Sequence, residues 1–274
     1  MEAREKMKRI AHLGRGAMVV ALLFGAYTAS ATMVDLTTPG ASGVIGGAIF
    51  EQISPQATGT GVIEAFAQIG AANQNEVQGY NTTVDNVFDN GSTDNFNRSI
   101  TVGDVPIMAI DDVSYYQFLL DINESGGRNT YLSLDEVQIF VGDTPNPSST
   151  AFDGAGILQG VGTLVYDMEA DLENWVALDY SLNSGSGSGD MFLYVPVSYF
   201  GGVSNESIVT LYSHFGRQGL DPEEFGAGNF GNSDGFEEWA VLTQETTVVP
   251  EPATMSLLGL GLAGLLVRRF ARKN

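Results

Sequence analysis

Short runs of alternating apolar and polar residues recur along the chain from about residue 60 to residue 242, and this pattern constrains the fold most. Two examples are YLSLDEVQIFVG (131–142) and SIVTLYSHF (207–215). Successive side chains of a strand point to opposite faces, so such runs predict strands with one buried face. Glycine and asparagine, which favour tight turns, crowd the gaps between them. The recurrence predicts an all-β fold, a single antiparallel β-sandwich of jelly-roll type over residues 43–245.

The alternation also assigns individual side chains to the two faces of the predicted sheets. Val137, Ile139 and Val141 are predicted to face the core, with Glu136 and Gln138 pointing away. By the same rule five aromatic residues are candidate platforms for a sugar, because aromatic rings stack on the apolar faces of pyranoses. The alternative for each ring is burial under a second layer. These residues are Phe192, Tyr194, Tyr212, Trp175 and Trp239.

The N-terminus has the three parts of a secretory signal peptide. A basic start is followed by an apolar stretch over residues 17–26 and by small residues at Ala29 and Ala31. This order predicts a signal helix within residues 1–31, cleavage after Ala31 and export by the Sec machinery. The polar stretch 32–42 is predicted to be a linker.

The C-terminus carries a proline-flanked acid, an apolar run and a basic tail in fixed order. Pro250, Glu251 and Pro252 end a predicted linker (246–252), and the 15 residues 253–267 are almost entirely apolar. A helix of that length would span roughly 22 Å, less than the ~30 Å hydrocarbon core, so we expect a short transmembrane helix. Arg268 and Arg269 begin a basic tail (268–274), which favours the cytoplasmic side.

This terminal arrangement resembles the PEP-CTERM sorting signal of Gram-negative bacteria. The resemblance implies that an exosortase, a membrane protease, recognises the tail and cuts near the triplet. It also implies a precursor held in the inner membrane and a mature protein at the cell surface or outside the cell. The body, in segments such as LSLDEVQIFVG and GFEEWAV, resembles an uncharacterised domain that recurs in such surface proteins, over most of residues 60–242.

The charge of the body excludes several classes of function. Between residues 32 and 249 the chain has three arginines, no lysine and 30 acidic residues, so its formal charge is −27. A chain this acidic is not expected to bind nucleic acid, whose backbone requires basic groups. The chain has no cysteine, and His214 is the only histidine of the body. The body therefore lacks the residues for a cysteine–histidine or multi-histidine metal site, and a serine–histidine site would depend on His214 alone.

Acidic clusters raise the hypothesis of a bound Ca²⁺, which takes six to eight oxygen ligands from loops. The first cluster is Asp121, Asn123 and Glu124, the second is Asp135 and Glu136, and the third is Asp234, Glu237 and Glu238; the candidate ligands among them are Asp121, Asn123, Asp135 and Glu237. Asp121 and Asp135 are predicted to lie on neighbouring strands of a hairpin. Arg128 is the only basic residue near them in the sequence, so Asp135 needs either a cation or backbone donors. Solvated acidic turns are the alternative, and no other cofactor is indicated.

Two functions remain open from the sequence. The first is a non-catalytic exported protein of the cell surface or matrix, associated with exopolysaccharide. The sequence does not identify the ligand of the body. The second is a secreted carbohydrate-active enzyme that uses carboxylates. The adjacent acids Glu237 and Glu238 lie on opposite faces of a strand, so they do not form a catalytic couple by themselves.

Overall fold

Two β-sheets form the framework of the described chain. The computed structural model describes residues 31–53, 63–70, 74–90, 96–125, 130–169, 173–185, 187–218, 220–221 and 228–243. Sheet A contains β1 (Met33–Asp35), β5 (Val77–Tyr80), β6 (Ile100–Thr101), β9 (Tyr131–Gly142), β10 (Thr163–Asp167), β11 (Trp175–Asp179) and β13 (Ile208–Phe215). Sheet B contains β2 (Ser42–Ile45), β3 (Ala48–Gln52), β4 (Ile63–Ile69), β7 (Ile107–Ile110), β8 (Val113–Asp121), β12 (Met191–Pro196) and β16 (Glu237–Leu242).

Strand pairing is antiparallel with one exception in the two sheets. Sheet A has the order β1-β11-β9-β13-β5, with β10 beside β9 and β6 beside β13. Sheet B has the order β2-β3-β12-β8-β16-β4, with β7 beside β8. β1 pairs with β11 in parallel, which departs from the purely antiparallel sandwich that the sequence predicts. A third, two-stranded sheet pairs β14 (Leu220–Asp221) with β15 (Gly228–Asn229).

The inner faces of the two sheets share one hydrophobic core. Val137, Ile139 and Val141 of β9 belong to it, as the alternation predicts, and Leu193 and Val195 of β12 join them from sheet B. A hydrogen bond also crosses the core, from Trp239 Nε1 on β16 to Ser213 Oγ on β13 at 2.9 Å. The prediction of a nearly all-β body with two packed layers is therefore confirmed.

Helical structure in the described residues is limited to three short 3-10 turns, Val102–Asp104, Tyr180–Leu182 and Val197–Phe200. No helix among these residues is long and apolar enough to cross a membrane. The predicted signal helix and the predicted transmembrane segment 253–267 lie outside the described residues. The predicted linker 246–252 and the basic tail 268–274 also lie outside them.

Two boundaries differ from the sequence interpretation. Strand β1 lies inside the predicted linker 32–42, and Leu36 just after it is fully buried with its N–H bonded to Ala177 O at 2.9 Å. That segment is therefore an edge of sheet A. The Gly/Ser-rich stretch before β12, which reads as a hairpin loop in the sequence, instead connects sheet A to sheet B, because β11 and β12 belong to different sheets.

Candidate functional site

The acidic residues predicted to hold a cation do not all meet. β8 lies in sheet B and β9 in sheet A, so Asp121 and Asp135 are not on neighbouring strands and that prediction is wrong. Asp135 is buried, and its carboxylate accepts hydrogen bonds from Arg217 N at 2.7 Å, Gln218 Nε2 at 3.1 Å and Ser133 Oγ at 3.0 Å. Burial raises its pKa to about 6 even with these donors. Asp135 therefore has the backbone and side-chain donors that the sequence left as one alternative.

Asp121, Asn123 and Glu237 do come together, at the end of sheet B where β8 ends and β16 begins. Glu237 Oε2 accepts a hydrogen bond from Asn123 N at 3.1 Å. Gly235 has a φ of +75° and packs against Asn123 so closely that an added Cβ would overlap it. This glycine lets the chain turn into β16 with Glu237 pointing inward and Phe236 pointing outward. Three of the four predicted cation ligands are thus neighbours.

An open groove lies on the outer face of sheet B beside this junction. Glu238 on β16 is directly opposite Gln68 on β4 and Asp121 on β8, and Gln68 Nε2 donates to Glu238 Oε1 at 2.6 Å. These three side chains form a polar floor. The groove has a volume of about 370 Å³. Its lining consists of Gln68, Phe96, Asp121, Asn123, Gly187, Phe236 and Glu238.

Two phenylalanines leave part of their rings exposed along this groove. Phe96 is 39% exposed and Phe236 is 41% exposed, so both present apolar surface beside the carboxylates. Burial raises the pKa of Glu238 and raises that of Asp121 to about 6. Exposed rings next to hydrogen-bonding groups suit a ligand with both apolar and hydroxylated faces.

The aromatic residues that the sequence suggests as platforms are buried. Trp239 points into the core between the sheets and has no exposed surface. Tyr212 is only 3% exposed, because segments 81–90 and 143–162 cover the outer face of sheet A. Phe192 and Tyr194 pack in a separate cluster on the outer face of sheet B. Trp175 packs against Phe230. The alternation of β16 does place Phe236 and Glu238 on one face, but Phe96 lies in a loop and gives no periodic signal.

A second pocket, of about 230 Å³, opens on the outer face of sheet A. Its lining consists of Gln78, Glu136, Phe152, Gly156, Glu169, Tyr212, His214 and Arg217. Glu136 and Gln138, predicted to point to solvent, are buried here, because Gln138 Nε2 donates to Gly156 O at 2.9 Å and its Oε1 accepts from Leu158 N at 3.0 Å. The covering segment 143–162 thus removes this face from solvent.

Two carboxyl groups, those of Glu136 and Glu169, line the second pocket, and Asp167 lies close enough to act on Glu136. Burial and the neighbouring carboxylates of Glu169 and Asp167 raise the pKa of Glu136 to about 10, so Glu136 is a neutral acid at pH 7. Arg217 Nη1 lies 2.6 Å from Glu169 Oε1 and forms a salt bridge with it. A protonated acid beside a second carboxyl group is an arrangement that acid–base catalysis uses. The sequence predicts strand positions but not the register that joins β9 to the segment after β10.

His214 in the same pocket is held as one neutral tautomer. Burial and the charge of Arg217 lower the His214 pKa. Arg217 Nη2 lies 3.3 Å from His214 Nδ1, and a guanidinium can only donate, so Nδ1 is the acceptor. The proton is then on Nε2, 3.3 Å from Glu76 Oε2, to which it donates.

The sorting residues Pro250, Glu251, Pro252, Arg268 and Arg269 lie outside the described residues, as does Ala29. Ala31 is exposed just before β1. Comparison with known families finds the PEP-CTERM protein-sorting motif at residues 248–273. The chain matches no curated protein and no solved structure. The match covers the C-terminal segment and says nothing of what the body binds, so the resemblance of the body to a recurrent surface domain stays a prediction.

Proposed function

We propose that this chain, an exosortase substrate by its PEP-CTERM sorting motif, is a non-catalytic surface or matrix protein whose body binds exopolysaccharide. The motif implies export and processing of a membrane-anchored precursor. Sec export through the predicted signal peptide 1–31 and a final place at the cell surface belong to the proposal. We also propose a jelly-roll connectivity for the body, which an experimental structure that includes the loops between strands would test.

The groove on sheet B is the observation that supports polysaccharide binding. A sugar ring has hydroxyl groups around its rim and apolar C–H faces. Phe96 and Phe236 offer exposed rings for those faces, while Glu238 offers carboxylate oxygens that accept hydrogen bonds from hydroxyls, with the buried carboxylate of Asp121 beneath the groove. The same carboxylates disfavour uronate-rich chains, because like charges repel. The expected ligand is therefore a neutral stretch of polysaccharide.

A binding assay with matched phenylalanine variants tests this groove. Full-length protein in mild detergent is sedimented with exopolysaccharide prepared from the producing cells, in neutral and in uronate-containing fractions. Phe96→Ala and Phe236→Ala should each weaken binding to the neutral fraction by roughly tenfold, since stacking of a ligand on one aromatic side chain contributes about 1–3 kcal/mol. Phe152→Ala is the control, because Phe152 is equally exposed at 40% but lies at the pocket of sheet A.

The outcomes of this assay separate the alternatives. Loss of binding only in Phe152→Ala would move the ligand site to sheet A. Wild-type protein that sediments with no fraction would contradict polysaccharide binding and leave the sorting proposal untouched.

Cleavage of the tail is tested by the mass of the released protein. Replacing Pro250, Glu251 and Pro252 by alanine should leave an uncut chain in the inner-membrane fraction, whereas the wild type should be released without the residues that follow the cut. The control is Glu206→Ala, an exposed acid of the body. Released wild-type protein with an intact C-terminus at Asn274 would contradict cleavage. Retention of both proteins in the membrane would favour a simple tether.

A second candidate function is a carbohydrate-active enzyme, favoured by the carboxylates of the sheet A pocket. Neutral Glu136 would donate a proton, and the Glu169 side chain, which pairs with Arg217, would act as base or nucleophile. Glu237 is unsuited to this role because it has no exposed surface. Release of reducing sugar that disappears in Glu136→Gln and in Glu169→Gln, but not in Phe236→Ala, would support the enzyme. No release by the wild type would contradict it.

A further inference from the structure

Three segments meet at the end of sheet B that carries Glu237. They are residues 121–125 at the end of β8, residues 187–190 before β12 and residues 232–237 that lead into β16. Asp190 Oδ2 accepts a hydrogen bond from Ile122 N at 2.8 Å, and Glu124 Oε2 accepts one from Ser233 N at 2.8 Å. Together with the bond from Asn123 N to Glu237, these contacts fix the carboxylates at one junction.

Each of four carboxylates at this junction keeps one oxygen without a hydrogen-bond partner. Six buried side-chain atoms in the described part of the chain lack a partner, and all six are acceptor oxygens. Four of them are carboxylate oxygens of the junction, Asp121 Oδ1, Glu124 Oε1, Asp190 Oδ1 and Glu237 Oε1, and a fifth, the amide oxygen Asn232 Oδ1, lies in the segment that leads into β16. Glu237 has no exposed surface, and the other three side chains are at most 4% exposed. Buried, unpaired carboxylates are costly, so these oxygens require a proton or a positive charge.

Electrostatics show that the four groups lie close enough to repel each other. Burial raises the pKa of Glu237 and Asp190 well above the ordinary values, and raises that of Glu124 to about 7. The negative charge of Glu124 is the next largest cause of the shift in Glu237, followed by those of Asp190 and Asp121. The salt bridges among the described residues involve Glu64, Glu76 and Glu169, so none of them neutralises a carboxylate of the junction.

We propose that this junction binds one hard divalent cation, with Ca²⁺ as the expected ion, between the unpartnered oxygens of Glu124 and Glu237. Asp121 and Asp190 add negative charge beside it. The described residues contain no group of three or more acidic or histidine side chains arranged to hold a metal by themselves. Neutral oxygens, from backbone carbonyls and water, therefore complete the shell.

The chemistry of the donors selects the ion. Carboxylate and carbonyl oxygens on irregular segments suit Ca²⁺, which accepts six to eight ligands in flexible geometry. Mg²⁺ requires a near-octahedral shell and keeps its waters, so it should bind more weakly here. Zinc and copper prefer thiolate or imidazole, and the chain has no cysteine while His214 lies in the other pocket.

Thermal unfolding of the full-length chain in mild detergent tests the site. The chain has two tryptophans, Trp175 and Trp239, and both are buried in the sheets, so their fluorescence reports unfolding of the body. At pH 8 and constant ionic strength, Ca²⁺ should raise the Tm relative to EDTA, and Mg²⁺ should raise it less. Titration calorimetry should find one Ca²⁺ per chain. No bound Ca²⁺ and no Tm shift would overturn the proposal and leave protonated carboxylates as the explanation.

Charge-removing variants separate a bound cation from other effects of Ca²⁺. Glu237→Gln and Glu124→Gln should each weaken Ca²⁺ binding by roughly tenfold or more, because each removes a charged ligand. In EDTA at pH 8 the same variants should be at least as stable as the wild type, since they remove a buried, repelled charge. Glu206→Gln should keep the full shift. A shift that survives in both Glu237→Gln and Glu124→Gln would overturn the site.

Arg128 gives one further control, because it precedes β9 in the sequence and lies outside the described residues. Arg128→Gln should bind Ca²⁺ as the wild type does. If a Ca²⁺-dependent shift appeared only in Arg128→Gln, the arginine would be the counter-charge of the junction, and the proposal would be wrong.

Discussion

Trp239 and Glu136 each bury a polar group, and the free-energy cost of that burial depends on the groups around it. Trp239 has no exposed surface and donates from Nε1 to Ser213 Oγ across the two sheets. Glu136 forms no salt bridge with any described residue and is buried beside other acids, so it keeps a proton instead. Trp239 avoids the cost of burying a polar group by donating a hydrogen bond, and Glu136 avoids the cost of burying a charge by staying protonated.

Trp239→Phe should reduce the free energy of unfolding by about 2–3 kcal/mol, because it leaves a void and removes the donor to Ser213. Chemical denaturation followed by circular dichroism measures the change. Trp175→Phe is the comparison, since Trp175 lies at a rim and is 9% exposed. An equal or larger loss in Trp175→Phe would contradict the role given to the buried hydrogen bond.

Glu136 should make stability fall as pH rises. Its pKa is raised from the ordinary 4.5 to about 10 on folding, so the folded state holds the proton more tightly than the unfolded chain. The stabilisation is complete below the unfolded pKa and is lost as pH rises toward the folded value. Glu136→Gln, a neutral mimic, should therefore show a flatter profile of unfolding free energy from pH 5 to pH 9 and become the more stable protein at pH 9.

An exposed acid is the control for that profile. Glu173→Gln should keep the slope of the wild type, because Glu173 is exposed in front of β11. Parallel profiles for Glu136→Gln and the wild type would contradict a raised pKa at Glu136.

At the scale of elements, the strands were predictable from the sequence and their partners were not. The alternation of β9, β12 and β13 places Val137, Leu193 and Leu211 in the core correctly. It cannot show that β8 and β9 belong to different sheets, because pairing depends on distant contacts. It also cannot show that segment 143–162 covers sheet A, which is why Glu136 was expected in solvent and is buried.

The same limit applies to the candidate sites. The sequence indicates Glu237 as a candidate cation ligand, and it is buried because it points to the same side of β16 as Trp239. Asp190 was missed, since it lies in a Gly/Ser-rich connection and meets Ile122 only when β8 and β12 pair. The groove depends on Gln68, Glu238 and Asp121 lying abreast on three strands, a register that no local pattern encodes.

The hairpin of β7 and β8 offers a prediction at this scale. Asp111 and Asp112 form its two-residue turn with φ values of 47° and 64°, the left-handed pair that suits the twist of a hairpin. Asp112→Val should reduce the free energy of unfolding by about 1–2 kcal/mol, because a β-branched residue is strained at positive φ. Asp112→Gly should not destabilise the protein. Equal effects of the two changes would contradict this turn.

At the scale of the whole molecule, the dominant property is negative charge. Residues 32–249 carry a formal charge of −27, and three salt bridges join described residues. Folding concentrates this charge, so repulsion opposes the compact state and is screened by salt.

Monovalent salt should therefore stabilise the protein. Raising KCl from roughly 20 mM to roughly 200 mM in EDTA should raise the Tm, because the screening length falls from about 20 Å to below 10 Å. The Tm is again measured by tryptophan fluorescence. Sucrose at equal osmolarity is the control for general solvent effects. A Tm that does not change or falls with KCl would show that the charges are already neutralised within the fold.

The end of β16 has a mechanical consequence for the precursor. Ten residues, 243–252, separate Leu242 from the start of the predicted transmembrane segment at residue 253. Even a fully extended chain of that length reaches only roughly 35 Å. While the tail is uncut, the C-terminal end of sheet B is therefore confined to a thin layer next to the bilayer, and polymers farther out lie beyond its reach. Cutting the tail thus changes the volume that the body can explore, before any change in its affinity.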